Sequence, residues 1–183
     1  MKTNMKLSTK NLALTGMFTA IIAVLSQISI PLPGGVPVTL QTFAISLCGY
    51  VLGWKLGLFS ISAYIILGAV GIPVFASFKS GFGVLFGMTG GFIWGFIFMT
   101  LLCGLSKKFN NKFIGIALGL TGLIICHVLG VLQFSFVSGN SIKHSIYVAS
   151  IPFIVKDSIS IVATYFMSLI LNKKLSIKKQ LER

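Results

Sequence analysis

Only two residues of this 183-residue chain carry a carboxylate side chain, Asp157 and Glu182. Glu182 stands in a charged tail, whereas Asp157 lies in an apolar stretch directly after Lys156. An ionisable group at membrane depth costs on the order of 3 kcal/mol on insertion scales and persists mainly where it pairs or binds something. An acid beside a base offers a polar ligand both an acceptor and a donor. Neighbours on a helix diverge by about 100°, so Lys156 and Asp157 need not pair with each other and can present two contacts to one ligand. The plainer alternative is a lysine that snorkels to the interface beside an acid favoured by a helix N-terminus.

Other chemistry is limited by inventory. His127 sits in an apolar run, where a histidine is either a ligand contact or a hydrogen-bonded packing residue. Cys48, Cys103 and Cys126 are each embedded in apolar sequence, with no spacing that suits a metal or a disulfide. One intramembrane acid and one histidine supply neither a nucleophile with its base nor a metal site, so an enzyme is not expected. The glycines around Met88-Thr89-Gly90-Gly91-Phe92 let a backbone approach a ligand or a neighbouring helix, but no Gly-Lys pair exists and the run is not a phosphate loop. No cofactor is implied.

The elements that position these residues follow from composition. With 55% hydrophobic residues, 9% charged residues and a mean hydropathy of +0.98, the chain is too apolar for a soluble domain. A spanning helix needs about 20 largely apolar residues. The apolar runs then predict an all-α bundle of six transmembrane helices over roughly 12–30, 37–53, 56–71, 83–105, 113–137 and 151–171. The second and third runs are short. Residues 1–11 form a basic N-terminus, 12–171 the membrane domain and 172–183 a basic tail. The first apolar run is too long for a cleaved signal and is expected to remain a helix.

The formal charge of +13 invites a nucleic-acid reading, but the distribution of the basic residues favours topology instead. They cluster before the first run (Lys2, Lys6, Lys10), in the central loop (Lys107, Lys108, Lys112) and at the end (Lys173, Lys174, Lys178, Lys179, Arg183). With Lys55 these sit on one side of a six-helix arrangement, against Lys79 and Lys143 on the other. Both termini are therefore expected in the cytoplasm of a cell membrane. Lys156 and Asp157 then lie about 6–8 Å below the outer end of a last helix starting near Pro152, facing an outward cavity. In the first helix Gly16 and Ala20 form a small-x-x-x-small surface suited to close approach of a packing helix or a partner.

Four ordered segments resemble a known family: Val36-Pro37-Val38-Thr39-Leu40-Gln41-Thr42-Phe43, Gly68-Ala69-Val70-Gly71-Ile72-Pro73-Val74-Phe75, Gly87-Met88-Thr89-Gly90-Gly91-Phe92 with Gly95-Phe96, and Pro152-Phe153 leading to Asp157. Together they are similar to the BioY family, the biotin-specific S-components of energy-coupling factor (ECF) transporters, over nearly the whole chain. The resemblance implies a six-helix subunit of a bacterial plasma membrane that binds biotin near the external face and works with a transmembrane coupling subunit and two ATP-binding cassette ATPases. Biotin is then a ligand, not a catalytic cofactor. Its ureido N–H groups suit Asp157, its valerate carboxylate suits a lysine, and its apolar bicycle suits Phe75 and neighbours. Ser160, Gln41, Thr89, Gly90, Gly91 and His127 join the expected binding set, and Gly16 and Ala20 the expected partner contact.

The chain departs from the family pattern at several positions. Lys156 precedes the aspartate where a Gly is common, and Ser160 follows it where the family often has a Lys three residues on. Positions 156 and 160 share one helix face, so Lys156 is expected to deliver the same charge from one turn nearer the surface. His127 and Gln133 stand where aromatics are expected, and Met88 replaces a common Pro. An S-component for another vitamin, such as riboflavin or thiamine, and an independent facilitator both remain compatible with the sequence.

Overall fold

The computed structural model describes residues 8–181, with side chains described through residue 173. Lys2, Lys6, Arg183 and most of the basic N-terminal stretch lie outside the described residues. The chain runs as α1 (Thr9–Ser26), a short ribbon of β1 (Ser29–Ile30) and β2 (Val38–Thr39), α2 (Gln41–Leu52), α3 (Trp54–Ala69), α4 (Phe82–Leu85), α5 (Gly90–Leu105), α6 (Lys112–Ser138), α7 (Ile142–Ala149) and α8 (Ile151–Leu181).

Four of these elements are long and apolar enough to cross a membrane: α1, residues Gly90–Lys108, α6 and residues Ile151–Lys173. The runs expected at 37–53 and 56–71 become the shorter α2 and α3, of 12 and 16 residues. Ten of the 12 residues of α2 are buried, so it forms the centre of the bundle and is shielded by its neighbours along its length. The exterior is apolar, with Val24, Ile66, Phe113, Phe136 and Val155 all exposed, as lipid-facing positions are in a multi-pass membrane protein.

Three features differ from the sequence expectation. The first apolar run ends as a helix at Ser26, and its remainder pairs antiparallel with Val38–Thr39. Pro31, Pro33, Gly34 and Gly35 cannot sustain a helix there, and the ribbon gives the backbone an alternative set of partners. The helix expected over 83–105 is broken between Leu85 and Gly90, and the freed carbonyls of Leu85 and Gly87 accept from the Gln133 amide at 2.9 and 2.8 Å. The link left between the predicted spans 113–137 and 151–171 contains α7, started by Ser141, whose hydroxyl accepts from the His144 amide.

Inside an apolar exterior the helices are joined by hydroxyls. Ser60 donates to the Thr15 carbonyl at 3.1 Å, tying α3 to α1. Ser46 and Thr164 hydroxyls meet at 2.9 Å between α2 and α8, and Tyr50 donates to the Gly115 carbonyl. Such bonds and small residues carry helix association where burial of apolar surface gains little over lipid. At the end of α2 the ammonium of Lys107 reaches the Val51 carbonyl, and Lys55 and Lys108 flank the Trp54 ring. This is the basic end of the bundle.

Candidate ligand-binding site

The opposite end of α2 opens a cavity. Gln41 is about 15 Å from Val51 at 1.5 Å per residue, and it lines this cavity together with Thr39, Thr42, Phe75, Lys79, Thr89, Phe92, Ile93, Phe96, His127, Phe153, Lys156 and Asp157. The unfilled space between the lining residues is about 740 Å³, part of it open to solvent. One wall is aromatic, with Phe75 in edge contact with Tyr64 and Phe92 in edge contact with His127.

Asp157 is the polar focus. It is 5% exposed, and its Oδ1 lies 2.6 Å from the Lys156 ammonium. The two residues therefore pair, because the long lysine side chain bends back across the angle that separates their Cα positions. The same ammonium donates to the Thr39 carbonyl at 2.6 Å, so β2 and α8 hold it from two sides. On the other face of the carboxylate, His127 Nε2 stands 3.4 Å from Oδ2, and Ser150 Oγ is 2.9 Å from Nδ1. The carboxylate offers only lone pairs, so the ring presents Nε2–H to it, while Ser150 holds the ring from its other nitrogen. Oδ1 is buried, and its contact among the described residues is the Lys156 ammonium, without a further aligned hydrogen bond.

A second network shapes the floor. Gln41 donates to the Tyr64 hydroxyl at 2.9 Å and accepts from Thr39, while Tyr64 meets Ser26 at 3.0 Å. The loop from α3 to α4 folds back so that the Phe75 amide donates to the Lys79 carbonyl at 3.1 Å. Closing that turn puts Ser77 and Phe78 at φ +59° and +57°. A left-handed conformation costs a non-glycine residue roughly 1–2 kcal/mol. The cost is offset by bracing from the segment that follows α1, where the Gln27 side chain accepts from the Phe78 amide at 2.8 Å and the Ser29 hydroxyl of β1 meets that of Ser77 at 2.9 Å.

Of the residues singled out from sequence, Asp157, Lys156, Phe75, Thr89, Gln41 and His127 come together around the cavity. Ser160, Gly90 and Gly91 do not line it. Ser160 is buried one turn along α8, with its hydroxyl donating to the Lys156 carbonyl. Gly90 and Gly91 let α5 approach its surroundings closely: a Cβ on Gly91 would stand 2.2 Å from the Leu129 carbonyl of α6, and one on Gly90 1.8 Å from the Leu85 carbonyl. Gly91→Ala is therefore expected to cost about 1–3 kcal/mol of stability by overpacking, read as a lower thermal midpoint of the purified protein without ligand. Gly16 and Ala20 do not line the cavity but lie on the exposed face of α1, and nothing stands within 4 Å of a Cβ placed on Gly16.

Sequence reasoning missed Ser150 and Lys79, and met Gln133 only as a departure from the family pattern. Ser150 carries no local signal, since it acts across a helix interface, and the role of Gln133 in holding the break before α5 shows only in the fold. Lys79 reads in the sequence as a loop cation, and only the folded turn brings it to the cavity.

A model of the BioY family matches residues 1–177. The biotin transporter BioY of Thermotoga maritima is 42% identical over 171 residues, covering 93% of this chain and 99% of that protein. The probable biotin transporter BioY of Pyrococcus horikoshii is 40% identical over 149 residues, covering 81% of this chain and 87% of its own. The biotin transporter BioY2 of Lactococcus lactis is 36% identical and covers 91% and 92%. Among solved structures, the S-component for biotin from an ECF-type ABC transporter superposes with a TM-score of 0.82 at 29% identity, over 94% of this chain and 95% of that one. A family match over nearly the full length, joined to the same arrangement of helices, makes this chain a member of the BioY family.

Proposed function

We propose that the chain is the biotin-binding S subunit of an ECF-type uptake transporter, carrying biotin inward with energy from partner ATPases. The observation that carries this reading is the enclosed Asp157–Lys156 pair at one end of an aromatic cavity, in a chain 42% identical to a biotin transporter. A ureido group places an N–H donor beside a carbonyl acceptor. The Asp157 carboxylate supplies the acceptor for the donor, and the ammonium of Lys156, held between Asp157 and the Thr39 carbonyl, keeps a further proton for the carbonyl. Phe75, Phe92, Phe96 and Phe153 suit the apolar bicycle. Thr89, Gln41 and His127 complete the polar wall, and Ser160 supports Lys156 from beneath. Biotin acts here as ligand, not as cofactor.

In this reading the chain spans a bacterial plasma membrane six times, with α2 and α3 as short crossings and both termini in the cytoplasm. Clustering of Lys55, Lys107 and Lys108 at the end of α2 away from the cavity supports that orientation. The partners are a transmembrane coupling subunit and two ATP-binding cassette ATPases. The open face at Gly16 and Ala20 is the surface we assign to the coupling subunit.

Binding of biotin, riboflavin and thiamine to the purified chain tests the ligand. Biotin alone is expected to bind and to raise the thermal midpoint, because it joins a compact ureido bicycle to a carboxylate, whereas riboflavin carries a larger three-ring system without a carboxylate and thiamine carries a fixed positive charge in a cavity already lined by two lysines. Tighter binding of riboflavin or thiamine would overturn the assignment.

A further inference from the structure

We propose that Lys79, rather than Lys156, receives the carboxylate of the ligand and so selects an anionic vitamin; the inference rests on the biotin-binding reading above. Lys156 is already committed, with its ammonium 2.6 Å from Asp157 Oδ1 and 2.6 Å from the Thr39 carbonyl. A ligand carboxylate on its remaining proton would stand beside the carboxylate of Asp157, and two like charges at that separation repel.

Lys79 lines the same cavity from the α3–α4 loop, and its side chain has no hydrogen bond or ion pair among the described residues. Besides the Cys126 thiol, the ionisable groups lining the cavity are His127, Lys79, Lys156 and Asp157. Two lysines against one aspartate leave a cation without a counter-ion, which a ligand bearing a single carboxylate neutralises. The backbone of Lys79 is also held in place. It closes the turn onto the Phe75 amide, and the left-handed residues Ser77 and Phe78 that make the turn possible are tied to Gln27 and Ser29 of the neighbouring segment. Strained backbone of this kind persists where its surroundings over-determine it, which fits a residue that must be delivered to one place. Phe75 and Lys79 thus bring an apolar surface and a cation together, as an acid on an aliphatic chain requires.

The test compares biotin with biotinamide, which differs only in a neutral amide at the end of the chain, on the purified wild type, Lys79→Met and Lys79→Arg. Wild type is expected to prefer biotin by roughly 10- to 100-fold, as for loss of a charge-assisted hydrogen bond. In Lys79→Met that preference should vanish through weaker biotin binding, with biotinamide affinity unchanged, and Lys79→Arg should retain it. Unchanged biotinamide binding also shows that the variant is folded. A preference that survives in Lys79→Met, or loss of both ligands in that variant, would overturn the role of Lys79 while leaving biotin binding by the wild type intact. Failure of the wild type to bind either compound would instead remove the function on which the inference stands.

Discussion

Asp157→Asn is expected to reduce biotin affinity by roughly 30- to 3,000-fold, corresponding to about 2–5 kcal/mol for removing one partner of a buried, hydrogen-bonded charge pair. The size of the effect comes from two losses that act together. The amide can still accept one hydrogen bond, but its nitrogen cannot accept a ureido proton, so the acceptor facing the ligand is halved and neutral. The ammonium of Lys156 meanwhile loses the anion 2.6 Å away and keeps only the Thr39 carbonyl. Equilibrium binding of labelled biotin to the purified variant measures this, and a dissociation constant within about threefold of wild type would exclude Asp157 as the ligand's acceptor.

The second large effect is expected at the other side of the molecule. Gly16→Leu combined with Ala20→Leu should leave biotin binding by the isolated chain unchanged, because the exposed face of α1 that carries both does not line the cavity. Assembly with the coupling subunit should weaken by about 1–3 kcal/mol of lost close packing, or roughly 5- to 150-fold. Co-purification of the complex and uptake by cells read that loss. Intact uptake by the double variant would show that the coupling subunit docks elsewhere.

Much of this architecture is legible in the residues themselves. Asp157 stands out because it is the lone acid in an apolar stretch, and the energetic argument that it must meet a partner or a ligand holds in the folded chain, where it meets both lysine and histidine. The spans at α1, α5, α6 and α8 follow from hydropathy alone. What the sequence hides is conformation that depends on distant partners. The break after Leu85 is hinted at by Gly87 and Gly90, but its stability comes from Gln133 on α6. The sharp turn to Lys79 uses a serine and a phenylalanine at positive φ, where a reader of turn signals looks for glycine. Gly90 and Gly91 look as suited to a ligand as to a helix, and only the nearness of the Leu85 and Leu129 carbonyls decides between them. Pairing of Lys156 with Asp157 is likewise set by a flexible side chain, which backbone geometry at one hundred degrees per residue does not describe.

The two lysines and one aspartate around the cavity bear on how membrane voltage acts on the carrier. A charge that crosses the whole field gains or loses about 2.3 kcal/mol per 100 mV. Occupied by a monovalent anion, the lysine–aspartate set sums to zero, so a movement that delivers cargo inward performs no electrical work on these groups. Emptied, it retains one unit of positive charge, and the return stroke must climb an inside-negative potential. The field thus burdens the vacant carrier and spares the loaded one.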